Sequence, residues 1–171
     1  MSTAIAFERA TVHTMAGSQA LPNHTLVVRG DRIQALGPTV DLPVPADAQR
    51  IDATGWHLMP GLADMHTHPG TFTSAQMWAG MLGVSADVMT LPYDLQMFLY
   101  LAGGITRIQV MAGTPEYLAL RESLRSGRLR GPRMRVASPV IDGYPAVWSP
   151  TITWQVSDPE GGRTAASERA P

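Results

Sequence analysis

Apolar and polar positions divide the chain into two regions with different grammar. Through residue 59 the apolar runs are short, rich in Val, Ile and Thr, and broken by turn residues. Ala4–Phe7, Thr11–Thr14, Thr25–Arg29 and Arg32–Leu36 read as strands. Gly30-Asp31, between the last two, is a tight-hairpin signal. Pro38, Pro43 and Pro45 mark an irregular crossing, and Gln49–Asp52 and Trp56–Met59 add two strands around Thr54-Gly55. This pattern predicts a small β-sandwich over residues 1–59.

Pro60-Gly61 punctuates the chain, and strands then alternate with helices. Leu62–Thr67 is a strand candidate. The stretch 69–90 is rich in Gly, Thr and Met, with a short helix near Ala75–Leu82 as its candidate element. Leu91–Ala102 reads as a helix stopped by Gly103-Gly104, and Ile105–Met111 as a strand. Thr114 is a good N-cap ahead of Pro115 and Glu116, Tyr117, Leu120 and Leu124 form one apolar face, and Gly127 ends the helix. Met134–Pro139 is a further strand. Such alternation predicts a parallel sheet of about three βα units over residues 60–150. Beyond Val156 no large apolar residue remains, so 151–171 is expected to be a poorly ordered tail.

Composition narrows the chemistry. The 171 residues hold no Cys, and all 13 cationic side chains are Arg. Disulfides, thiolate sites, Schiff-base lysines, P-loop lysines and carbamylated-lysine bridges are thereby excluded. A net charge of −1 lacks the basic field of a nucleic-acid binder. No apolar run reaches the roughly 18 residues of a membrane span, and MSTAIAFERA lacks the marks of a signal peptide, so a cytoplasmic location is expected.

The segment Pro60-Gly61-Leu62-Ala63-Asp64-Met65-His66-Thr67-His68 carries the most chemistry. Residues two apart on a strand share a side, so Asp64, His66 and His68 are expected to face one way and Met65 and Thr67 the other. Two imidazoles at the C-terminal end of a strand in a parallel fold are natural metal ligands. A bare His-x-His also arises as plain surface or packing residues, and the pair alone leaves both readings open.

The context resembles the amidohydrolase superfamily, in its imidazolonepropionase-like branch. The resemblance rests on the β-rich leader with Ile51-Asp52-Ala53-Thr54-Gly55, on the PGLADMHTH run, on Leu101-Ala102-Gly103-Gly104-Ile105-Thr106, and on Arg130-Gly131-Pro132-Arg133 followed by Ala137-Ser138. It implies an α/β fold, a partial TIM-like (β/α)8 barrel preceded by part of a small β-sandwich. It implies hydrolysis of carbon–nitrogen bonds in small amide substrates by water activated on zinc or a similar metal, as one ion or two. His66 and His68 map onto the first-strand metal ligands, and Asp64 onto the motif Asp as an orienting residue. Asp142 and Tyr144 follow a strand end and would line the substrate pocket of a complete barrel.

A (β/α)8 barrel takes about 250 residues, whereas about 110 follow Pro60 here. No His follows His68, and two His fall short of the three protein ligands a zinc site normally takes. The sequence therefore reads as the N-terminal portion of such an enzyme, inactive alone, as a truncated product or as half of a split enzyme. A complementing chain or a homo-oligomer is the implied partner. The alternative is a non-catalytic remnant or interaction fragment of the same fold. His13, His24 and His57 read as surface or packing histidines. The six Arg between Arg121 and Arg135 read as a solvated, paired face, the ten Met as core filler, and Ser138 and Ser149 lack a partner base.

Overall fold

The computed structural model describes residues 3–70, 79–80, 82–83, 85, 91–148 and 152–168. The chain splits into two compact units, Met1–Pro60 and Gly61–Pro171.

The first unit is one five-stranded mixed sheet. Its strands are β1 (Ala4–Val12), β2 (Leu21–Arg29), β3 (Arg32–Pro38), β4 (Gln49–Asp52) and β5 (His57–Leu58). The order is β3-β2-β1-β4, with β5 also pairing β1. β2 and β3 join through the two-residue turn read from the sequence, where Gly30 takes φ 61°. Two predicted strands merge into β1. Its register slips between Phe7 and Ala10, where Arg9 sits at φ 62°. This irregularity lets one strand run on where the alternation alone implies a break. Along β1 the residues Ala4, Ala6, Ala10 and Val12 are buried: Ala4 and Ala6 cluster with Val27 of β2, against which Leu42, Val44 and Ala48 pack, and Ala10 and Val12 cluster with Ala53.

The second unit is built on a three-stranded parallel sheet in the order β6 (Leu62–Thr67), β7 (Ile105–Val110), β8 (Arg133–Val136). Helix α1 (Tyr93–Ala102) precedes β7, and α2 (Pro115–Arg125) lies between β7 and β8. The core joins Met97 of α1, Ile108 and Val110 of β7, Tyr117 and Leu120 of α2, and Met134 and Val136 of β8. This is the helix-against-sheet layering the alternating pattern predicts, giving a mixed α/β fold. α2 starts as expected: the Thr114 hydroxyl accepts from the Tyr117 amide at 3.4 Å, Pro115 opens the helix, and Gly127 at φ 74° follows its end. The helix predicted near 75–82 and Ser149 lie mostly or wholly outside the described residues.

The C-terminal stretch differs from expectation. Residues 153–155 form β10 (Thr153–Gln155), which pairs in parallel with β9 (Val140–Asp142). Residues 159–168 form α3 (Pro159–Glu168). Large apolar side chains are not needed here. Asp158 accepts from the Gly161 amide at 2.8 Å, Glu160 pairs with Arg163 one turn on, and Ala165 alone is fully buried. No helix among the described residues is long and apolar enough to cross a membrane.

Candidate metal centre

The site begins with Gly61. A Cβ there would lie 2.2 Å from the Thr106 hydroxyl, so only glycine lets β6 enter the sheet this close to β7. The Leu62 amide then donates to the Gly104 carbonyl at 2.9 Å, and the ladder runs toward the histidines.

Strict alternation fails halfway along β6. Asp64 lies opposite Ile108 and Thr67 opposite Val110, so three steps on β6 match two on β7. Asp64 therefore shares a side with Thr67 instead of with the histidines, as strand spacing alone would have it. The cause is local. The Asp64 carboxylate accepts from the His66 amide at 3.1 Å, a side-chain bond that draws that amide out of the ladder. The bulge re-aims the strand end, and the two imidazoles converge. His66 Nε2 and His68 Nε2 stand 3.3 Å apart, with ring centroids at 5.2 Å in an edge-to-face arrangement. Two nitrogens each about 2.0–2.1 Å from a tetrahedral zinc are separated by about 3.3 Å, so the spacing suits shared ligation. Partial burial, and next the neighbouring His66, hold the His68 pKa below its ordinary 6.5. The neutral, ligating form of His68 is thus favoured at neutral pH.

The residues after His68 are fastened by the helices. The buried Tyr117 hydroxyl donates to the Pro69 carbonyl at 2.9 Å. Gln96 grips Gly70 twice, accepting from its amide at 2.8 Å and donating to its carbonyl at 3.2 Å. The Thr67 and Tyr100 hydroxyls share a short hydrogen bond. These supports were not read from the sequence. Gln96 offers the one usable signal, an amide within the otherwise apolar face of α1, YDLQMFLYLA.

Asp142 and Tyr144 stand differently. Asp142 engages its own loop, accepting from the Gly143 amide at 2.8 Å and the Val147 amide at 2.9 Å. Tyr144 is 80% exposed. Among the described residues no group of three or more His, Cys, Asp or Glu is placed to hold a metal ion. The centre consists of the two imidazoles, with Asp64 shaping the turn that presents them. A groove of about 540 Å³ runs beside β8, lined by Gln109, Arg121, Arg135, Ser138 and Ile141 among others.

No family model matches the chain. It is 47% identical over 66 residues to an imidazolonepropionase of Aromatoleum aromaticum, covering 36% of this chain and 16% of that protein. With an imidazolonepropionase of Cereibacter sphaeroides it shares 29% identity over 150 residues, covering 71% of this chain and 38% of the relative. With an adenine deaminase of Ruegeria pomeroyi it shares 34% over 95 residues, covering 54% and 15%. Among solved structures, a protein from Bifidobacterium longum assigned as a prolidase superimposes with a TM-score of 0.70 at 27% identity, covering 98% of this chain and 38% of that one. An amidohydrolase superimposes with a TM-score of 0.72 at 18% identity, covering 98% and 44%. The chain thus spans between 15% and 38% of the length of these curated relatives.

Proposed function

The chain belongs to the amidohydrolase superfamily, and from that premise we propose that it is the metal-binding N-terminal portion of a cytoplasmic hydrolase of carbon–nitrogen bonds in small amides. The observation that carries this reading is the 3.3 Å approach of His66 Nε2 and His68 Nε2 at the C-terminal end of β6. In this reading β6 to β8, with their helices, open a (β/α)8 barrel, and residues 1–59 contribute part of a β-sandwich.

His66 and His68 would hold zinc or a similar divalent ion, in a site of one ion or two. When bound, such an ion lowers the pKa of water and polarises an amide carbonyl. The chain's own residues do the positioning. Asp64 keeps the His66 amide out of the ladder, so that both rings turn to one point. Gln96 and Tyr117 fix the backbone just past His68, which holds that ring's direction. Asp142 would brace the loop after β9 and Tyr144 would border the substrate pocket. No His follows His68 and the chain holds no Lys, so the remaining ligands would come from a further segment or a complementing chain.

Calorimetric titration of the full chain with zinc tests this. One equivalent binds, and His66→Gln or His68→Gln each weakens it by at least about tenfold, the scale set by losing even an indirect support of a metal ligand. Unchanged affinity in both variants overturns the reading. One observation favours a second reading, an interaction portion without catalysis. β6 and β8 are the outer strands of their sheet, and such edges accept a further strand. Sedimentation that shows a defined dimer, with no zinc bound, supports it.

A further inference from the structure

We propose that the free edge of β8 binds an extended segment of a partner polypeptide whose carboxylates, at alternate positions, meet Arg133 and Arg135. All four arginines of the first unit pair with a carboxylate: Arg9 with Asp52, Arg29 with Asp47, Arg32 with Asp31 and Arg50 with Glu8. The stretch from Arg121 to Arg135 does not form the paired face its pattern suggests. Only Arg125 meets a carboxylate there, that of Glu122. Arg107, Arg133 and Arg135 are exposed, and none of them pairs with a carboxylate among the described residues. Ile108 and Val110 of β7 and Met134 and Val136 of β8 point into the core. Side chains alternate along strands, so Arg107, Gln109, Arg133 and Arg135 share the opposite face. The register sets Arg107 beside Arg133 and Gln109 beside Arg135. Like charges side by side on neighbouring strands are destabilising, a cost that a carboxylate on the next strand offsets.

Among the described residues β8 has β7 on one side and no strand on the other. The Ala137 amide donates to the Val110 carbonyl at 2.9 Å. Backbone groups alternate in direction along a strand, so the amides of Met134 and Val136 face the open edge. Two grooves, of about 540 and 370 Å³, share Met134 and Arg121 and between them follow residues 131–138. The slot therefore runs along the edge, as an added strand would, and Arg121 adds positive charge to its wall. Every second residue of a guest strand then falls beside one of the two arginines. No described strand of this chain carries carboxylates two apart, and β8 against β8 would set Arg beside Arg, so a second copy is not the occupant. Docking here depends on β8 and not on His66 or His68, so it stands or falls apart from zinc binding.

The test titrates the full chain, free of zinc, into a fluorescein-labelled peptide, Thr-Glu-Val-Glu-Val-Thr, and follows anisotropy. Saturable binding at one equivalent is expected. A peptide of the same composition with its two Glu adjacent binds more weakly, because only one can meet an arginine. Arg133→Gln or Arg135→Gln each weakens the alternating peptide about two- to fivefold, the scale of one cross-strand charge pair. Arg128→Gln, outside the strand, changes nothing. Arg133→Glu combined with Arg135→Glu reverses the preference, so that a peptide with Lys in place of Glu binds instead. Hydrogen exchange of the Met134 and Val136 amides slows on binding, whereas that of β2 stays as it was. No uptake of the alternating peptide, equal affinity for the two Glu peptides, a charge reversal that leaves the preference as it was, or binding of tripolyphosphate without the peptide overturns the proposal.

Discussion

The Tyr117 hydroxyl of α2 donates to the Pro69 carbonyl at 2.9 Å, one residue beyond His68. Tyr117 is 2% exposed, so the bond lies in the core and ties the helix to the metal-presenting turn. Tyr117→Phe keeps the ring and leaves a buried carbonyl without its donor. A loss of about 1–3 kcal/mol of stability is expected, read from the shift of the urea midpoint. Zinc affinity should fall as well, because His68 loses its anchor. A variant as stable as the parent, with unchanged zinc affinity, would show that the bond has no such role.

Gly113 and Ala137 make an even tighter pair at the ends of β7 and β8. A Cβ on Gly113 would lie 1.9 Å from the Ala137 carbonyl oxygen, a backbone atom that cannot swing aside. The Gly113 amide also donates to Ser138 at 3.1 Å, which fixes the approach. Gly113→Ala is expected to destabilise by about 1–3 kcal/mol or more, as overpacking does. Gly143→Ala is the control, since nothing lies within 4 Å of its added methyl. Thermal melts of the two variants should separate clearly.

Much of this architecture is legible in the sequence because local signals and packing agree. Thr114-Pro115-Glu116 opens α2 where capping chemistry places it. Gly30-Asp31 turns the hairpin, and the PGLADMHTH run leads into a strand that ends on two converging imidazoles. What period two cannot show is the bulge after Asp64. It depends on a side-chain bond to the His66 amide and on the register β7 imposes, and neither is a property of spacing. The C-terminal helix was hidden for another reason. A segment with one buried Ala carries almost no apolar period, and Asp158 and the Glu160–Arg163 pair order it through polar groups. The His13–His57 pair was equally hidden, since 44 residues separate partners that only the β1–β5 register brings together.

Met97 tests how far the second unit depends on one side chain. It is fully buried, and its Cβ lies 2.8 Å from where a Cβ on Gly131 would sit. It joins α1 to β7, α2 and β8 in a single cluster. Met97→Ala removes that link and leaves a cavity, at an expected cost of about 2–5 kcal/mol. Met97→Leu, which nearly preserves volume, should cost less than about 1.5 kcal/mol. Urea unfolding of both variants measures the difference, and equal losses would mean that volume is not what Met97 supplies.

Asp52 sets a pH dependence in the first unit. Its carboxylate accepts from the Thr54 hydroxyl at 2.6 Å and the Thr54 amide at 3.0 Å, and it pairs with Arg9 at 2.9 Å. The Thr54 hydroxyl, then Arg9, lower its pKa from 3.8 to about 2. A carboxyl group with a depressed folded-state pKa binds fewer protons folded than unfolded. Its contribution is therefore whole above about pH 4 and is lost as pH falls through about 2. Asp52→Asn removes that contribution, so its acid-unfolding curve should be flatter than the parent's between about pH 4 and 2. Because both partners are exposed, added salt should weaken the Arg9 share and leave the Thr54 share. Acid titrations followed by circular dichroism at low and high salt check both points, and parallel curves for parent and Asp52→Asn would exclude Asp52 as the titrating group.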